Sequence, residues 1–229
     1  MQTCPHHPRD HAHGETVDRR DFLGRGAAGL AGAAATGLVA PAATAQGVAV
    51  YAEPSEPALP PSTMALEKGR AALLVVDPQI DFLSPEGVAW GVVGESVTEH
   101  GVVDNLIRLF RAAKAVDMPV VISPHYYYPH DHRWAFEGAL EKVMHAIGMF
   151  DRPGPLDTAD LEGSGADFMA AYKRYIFDGK TVIASPHKVY GPEQNDAALQ
   201  LRKLRVDQIV LAGMSANLCV QSHMREFLE

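Results

Sequence analysis

Three residues, widely separated along the chain, have the types that covalent hydrolysis needs: Asp77, Lys188 and Cys219. A carboxylate can accept a thiol proton, an ammonium favours the thiolate, and a thiolate attacks a carbonyl carbon. Distance in sequence does not bring them together, so the elements that precede them must. Asp77 closes the apolar run Ala71 to Val76, and Lys188 lies in Ser185-Pro186-His187-Lys188, just after Thr181 to Ala184 (TVIA). Cys219 ends the turn Gly213-Met214-Ser215-Ala216-Asn217-Leu218-Cys219, which follows Gln208 to Ala212 (QIVLA).

Those runs are short and apolar throughout, as is Pro119 to Ser123 (PVVIS), a pattern that marks strands buried on both faces. Between them, Val103, Leu106, Ile107 and Phe110 recur at helical spacing, as do Phe168, Met169, Tyr172, Tyr175 and Ile176. Asn195 can cap a helix carrying Ala198, Leu201 and Leu204, and Val220, Met224, Phe227 and Leu228 share one face of the last helix. The fold class that follows is α/β: a three-layer α/β/α domain with a mainly parallel, Rossmann-like sheet. Ligands of such sheets bind at the carboxyl ends of the strands, and all three reactive residues belong to that end. If Cys219 begins the last helix, the free amides there stabilise a thiolate and can form an oxyanion hole, worth on the order of 3 kcal/mol in barrier lowering. A helix on such a sheet normally leads into a further strand. The chain ends at Glu229 instead, so C-terminal strands are expected to be missing and the domain, residues 66–229, to be incomplete.

Composition narrows the partner. With 229 residues, 47% of them apolar and 21% charged, one sizeable core is accessible. A net charge of −8 without a basic cluster argues against nucleic acid and leaves a small-molecule substrate. Residues 1–45 stand apart: Arg19-Arg20 precedes Phe22-Leu23, a Gly- and Ala-rich run from Ala27 to Ala40 follows, and Ala43-Thr44-Ala45 offers a small-x-small cleavage pattern. This resembles a twin-arginine export signal cleaved near Ala45. The expected partner is the twin-arginine export machinery and the expected location periplasmic or secreted; the apolar stretch is too short and too rich in Gly and Ala for a stable membrane anchor. Pro54, Pro57, Pro60 and Pro61 make residues 46–65 a Pro-rich linker. Cleavage would remove four charges of each sign, leaving −8, and would remove Cys4, so that Cys219 is the lone thiol and no internal disulfide can form.

Val75-Val76-Asp77-Pro78-Gln79-Ile80-Asp81-Phe82 resembles the hydrophobic-Asp-x-Gln-x-Asp-Phe motif of isochorismatase-like hydrolases, and Leu211 to Val220 resembles their nucleophile turn. Lys188 falls where that superfamily keeps its lysine, and the match covers roughly Leu66 to Glu229. The resemblance implies that Asp77 is the base, Lys188 its electrostatic partner and Cys219 the nucleophile of a catalytic triad. It further implies a cis peptide between Met214 and Ser215 and an oxyanion hole made by the backbone amides of Ser215 and Cys219. Isochorismatases proper lack the cysteine, so its presence points to the nicotinamidase-related amidases. The implied reaction cleaves a C–N bond of a small amide, imide or carbamoyl compound through a thioester. Two alternatives stand beside it: a metal-dependent nicotinamidase, and a non-catalytic secreted small-molecule-binding protein. Members of the superfamily commonly form homo-oligomers.

The loop from His125 to Trp134 raises the metal question, since imidazoles suit zinc or iron. Nicotinamidases carry a metal after the same strand, on an Asp-x-His pair and a further His; here His125 stands about where the first carboxylate belongs. No cofactor is therefore expected, and His125, His130 and His132 are the candidate ligands should a divalent metal bind. Trp90, His125, Tyr127, Trp134 and His187 are candidate substrate contacts, Tyr126 a further pocket-lining aromatic. Asp81 is read as a loop-orienting residue, and the Gly- and Pro-rich segment from Phe150 to Gly165 as a long surface loop able to act as a lid.

Overall fold

The computed structural model describes residues 64–191 and 195–228. The signal reading of residues 1–45 and the linker through residue 63 lie outside the described residues. Four strands, β1 (Ala71–Val76), β2 (Val120–Ser123), β3 (Val182–Ile183) and β4 (Gln208–Gly213), form one sheet in the order β3-β2-β1-β4. Every pairing is parallel: Leu73 sits opposite Val120 and Val210, and Val121 opposite Val182. The helices are α1 (Ile80–Leu83), α2 (Trp90–Glu99), α3 (Val102–Ala115), α4 (Ala139–Ala146), α5 (Ala170–Ile176), α6 (Ala197–Lys203) and α7 (Gln221–Leu228). Among the described residues no helix is long and apolar enough to cross a membrane.

Side chains alternate across a strand, so β1 needs apolar residues on both faces, and it has them: all six are buried. Leu73 and Val75 pack with Val97 of α2, Leu106 and Phe110 of α3, and Tyr172 and Ile176 of α5. Ala72 and Leu74 join Leu201 of α6 and Phe227 of α7 on the opposite side. Helices thus flank both faces of the sheet, burying β1 and β2 completely while β4 stays half-buried and Ile183 of β3 exposed.

The chain builds β1, β2 and β3 outward in one direction, then returns to place β4 on the free side of β1. That reversal opens a crevice at the carboxyl ends of β1 and β4, the place where open α/β sheets bind ligands. Gly213 makes the close approach there: its φ is +124°, and a Cβ would lie 2.0 Å from the Val76 carbonyl oxygen, so no other residue fits.

Some elements differ from the expectation. Trp90 opens α2, a helix that the sequence reading did not mark, since Gly91, Gly94 and three valines give it weak intrinsic propensity. Packing decides it: Val97 is buried, and the Trp90 ring occupies the space beside Gly94, where a Cβ would meet it at 2.5 Å. The helix expected from Phe168 begins at Ala170, because Phe168 bridges to Gln79 as extended backbone. Asn195 does serve α6, accepting the Ala197 N–H at 3.0 Å.

Candidate functional site

Each strand delivers one reactive side chain past its carboxyl end. Asp77 follows β1 directly, His125 lies two residues beyond β2, His187 four beyond β3, and Cys219 six beyond β4. All four are buried, and their ligand-type atoms lie within 4.8 Å of one another. Asp77 takes a left-handed backbone, φ 49°, which costs on the order of 1–3 kcal/mol and is typical of residues aimed into a site. Its N–H is anchored on the Ser123 carbonyl at 3.0 Å.

The Asp77 carboxylate has two different oxygens. Oδ1 meets His187 Nε2 at 2.8 Å, whereas Oδ2 has no hydrogen-bond partner. His187 Nδ1 is engaged by the Lys188 carbonyl, so the contact between Nε2 and Asp77 requires a second proton on the pair. The Cys219 thiol donates to the Val189 carbonyl at 3.1 Å. Burial first, and then the charge of Asp77, push this thiol far above the ordinary thiol range, while the backbone N–H groups of Ser215 and Cys219 face the sulfur and oppose the rise. Burial thus favours the neutral thiol at Cys219, against the nearby cation and helix start that alone would favour a thiolate.

The turn that carries Cys219 is a π-helical turn, Ala216–Val220, and the Met214–Ser215 peptide is cis, as the resemblance implied. The wider π turn aims two backbone donors at one atom, the arrangement an oxyanion needs. The amides named for the oxyanion hole are the two that face the sulfur.

Lys188 is held by a different carboxylate, Asp131. Its ammonium pairs with the buried Asp131, donates to the Tyr126 carbonyl at 2.8 Å, and lies 4.7 Å from the Tyr128 ring centroid and 5.3 Å from that of Tyr127. It still acts on the site. With burial as the main cause, the charges of His187, Lys188 and His145 hold His125 well below its ordinary value, so that imidazole is neutral. Neither of its ring nitrogens has a hydrogen-bond partner.

Sequence reasoning gave no role to three of the residues that hold this cluster. Gln79 clasps the exit of β2, donating to the His125 and Ala166 carbonyls at 2.9 and 2.8 Å and accepting the His125 N–H at 2.9 Å. His223, one turn after Cys219, donates from Nδ1 to the Cys219 carbonyl (2.6 Å), and its Nε2 meets Ser123 Oγ at 2.8 Å. Asp131 seats Lys188 and accepts the Tyr128 N–H at 2.9 Å. Gln79 stands inside the quoted motif and His223 four residues from the cysteine, so spacing alone could have marked both.

The other candidates are distributed differently. Tyr127 is fully buried, its hydroxyl on Met144 Sδ at 3.9 Å, and its ring lies tilted against that of His125 with centroids 4.9 Å apart. Trp134 packs edge-on to Tyr127, and Trp90 packs against the core from α2. Tyr126, also buried, lies under the Arg152 guanidinium. His130 pairs with Asp131 at 3.2 Å and His132 with Asp151 at 2.7 Å. Neither shares the cluster that contains His125, so the three candidate metal imidazoles do not converge, and the residues do not fit the nicotinamidase metal pattern. Asp81 is structural: it accepts the N–H of Phe150 at 2.7 Å and of Val88 at 3.3 Å, fixing the start of the 150–165 loop beside His125. Asp81→Ala is expected to lower unfolding free energy by about 1–3 kcal/mol, read as a shifted urea midpoint at constant slope, because it orphans a buried N–H.

Comparison with known proteins follows the same lines. A family model described as the isochorismatase domain matches residues 71–229. Among solved structures, a cysteine hydrolase from Pseudomonas syringae pv. phaseolicola 1448A aligns at 20% identity over 75% of this chain and 71% of its own, with a TM-score of 0.57. An isochorismatase family protein from Desulfovibrio vulgaris subsp. vulgaris str. Hildenborough aligns at 18% identity over 69% and 75%, with a TM-score of 0.52. At these identities the likeness is one of fold. The search of curated proteins gives no match.

Proposed function

The chain belongs to the isochorismatase family of hydrolases, and from that premise we propose that it cleaves a C–N bond of a small amide, imide or carbamoyl compound through a Cys219 thioester. One observation carries this reading: a buried thiol with two backbone donors on its sulfur lies within 4.8 Å of a buried carboxylate that keeps one oxygen unengaged. Asp77 Oδ2 takes the thiol proton as Sγ bonds to the carbonyl carbon, and the Ser215 and Cys219 amides hold the negative oxygen. The C–N bond breaks as Asp77 passes that proton to the leaving nitrogen. Water then attacks the thioester and gives a proton to Asp77, which returns it to sulfur as the C–S bond breaks. The high thiol value fits this order, since deprotonation coupled to attack needs no standing thiolate.

Lys188 is assigned the electrostatic role, exerted from its seat on Asp131, with His187 as the group that touches Asp77. Lys188→Met is expected to lower kcat by roughly tenfold to a hundredfold, on protein whose unfolding midpoint shows it folded. An unchanged kcat would confine Lys188 to its ion pair. The test of the function as a whole is ammonia or amine release from a panel of small primary amides, cyclic imides and N-carbamoyl compounds. Turnover of one class supports the reading, whereas tight binding of a panel member without turnover would support a binding protein.

A further inference from the structure

The four strand ends bring together a donor set that hydrolysis does not fully use. His125 is completely buried with both ring nitrogens unpartnered, and Asp77 Oδ2 is buried and unpartnered beside it. Each such orphan costs on the order of 1–3 kcal/mol, so a fold that places these three atoms near a thiol points to a group that engages the free carboxylate oxygen and one nitrogen of the imidazole.

We propose that Asp77, His125, His187 and Cys219 form a zinc-binding site in which the metal occupies the nucleophile and holds the enzyme inactive. Two imidazoles, one carboxylate and one thiolate suit a borderline-soft divalent ion. With bonds of about 2.0–2.3 Å, a tetrahedral ion wants ligands roughly 3.3–3.8 Å apart. The four atoms here are all within 4.8 Å, so the widest pair must close by about 1 Å. His187 already has the outer support that ligating histidines use: Nδ1 rests on the Lys188 carbonyl and Nε2 faces the cluster. The charges balance, two anionic ligands and two neutral imidazoles around a dication in a buried site. On binding, the thiol proton and the proton between Asp77 and His187 leave to solvent, and sulfur, oxygen and both nitrogens each form one bond to the ion. This site is distinct from the surface histidines of the 125–134 loop, since His130 and His132 are held by Asp131 and Asp151.

The inference shares residues with the hydrolase reading but is read by binding, so either can fail alone. The full chain carrying Cys4→Ser, with Cys219 its only thiol, is stripped with chelator and titrated with Co²⁺ under a phosphine reductant. One equivalent is expected to give a thiolate-to-cobalt charge-transfer band with the strong visible bands of tetrahedral cobalt. Zn²⁺ should displace it and slow iodoacetamide labelling of Cys219 at least tenfold, with chelator restoring the rate. Cys219→Ser should abolish the charge-transfer band, and His125→Gln should weaken metal binding roughly tenfold to a hundredfold. The labelling experiment needs no substitution in the site and so survives a variant that fails to fold. Cobalt binding without a thiolate band, binding indifferent to His125→Gln, or binding lost only in His132→Gln would each overturn the proposal.

Discussion

Cys219→Ala is expected to abolish turnover of whichever small amide the enzyme accepts, with a fall on the order of 10⁴-fold or more. The expectation rests on Cys219 being the atom that forms the covalent bond, and removing it leaves only positioning by the surrounding amides. The fold should tolerate the change. The thiol donates to the Val189 carbonyl, and the turn that presents it is held by its backbone, through Leu218 and Val220 donating to the Ser215 carbonyl and His223 on the Cys219 carbonyl. Circular dichroism and an unfolding midpoint near wild type would establish that the lost activity is chemical. Turnover retained by Cys219→Ala would remove the nucleophile from the account.

Asp77→Asn should move two observables in opposite directions. Hydrolysis should fall by about 10²–10⁴-fold, the usual contribution of a general acid–base group. Alkylation of Cys219 at pH 8 should instead become faster. The folded protein holds the thiol above its ordinary range, so less thiolate exists at pH 8 than on an exposed cysteine. Burial is the larger cause and the Asp77 charge the second, so losing that charge brings the value down and raises the thiolate fraction. Alkylation against pH, followed by mass at the Cys219 peptide, checks the sign. A merely structural Asp77 would disturb both readouts together, whereas opposite movement marks a base that also repels the thiolate.

The sheet was legible because its strands are apolar on both faces, and α3, where periodicity was strong, lies where that periodicity put it; α7 forms, but it buries His223 and leaves Met224 and Leu228 of the expected apolar face exposed. The helix starting at Trp90 was not, since glycines and β-branched residues hide a helix that tertiary packing imposes. At the site, Asp77 and Cys219 were readable from their places after β1 and β4. The partners were not. Adjacent residues His187 and Lys188 both carry nitrogen, and only the path of the loop decides that the imidazole meets Asp77 while the ammonium swings to Asp131. The thiol's state also escaped a reading based on the helix terminus and a nearby cation, because burial outweighs both and leaves no trace in residue spacing.

The central claim, attack by Cys219 with a thioester on the path, is tested most directly by acid-quenched intact-mass measurement during turnover of an amide substrate. The account predicts a steady-state adduct equal to the substrate's acyl group, mapped to Cys219, lost when hydroxylamine intercepts it as the hydroxamate, and absent in Cys219→Ala. Full turnover with no adduct, with no hydroxamate formed and with the same rate in Cys219→Ala would contradict it.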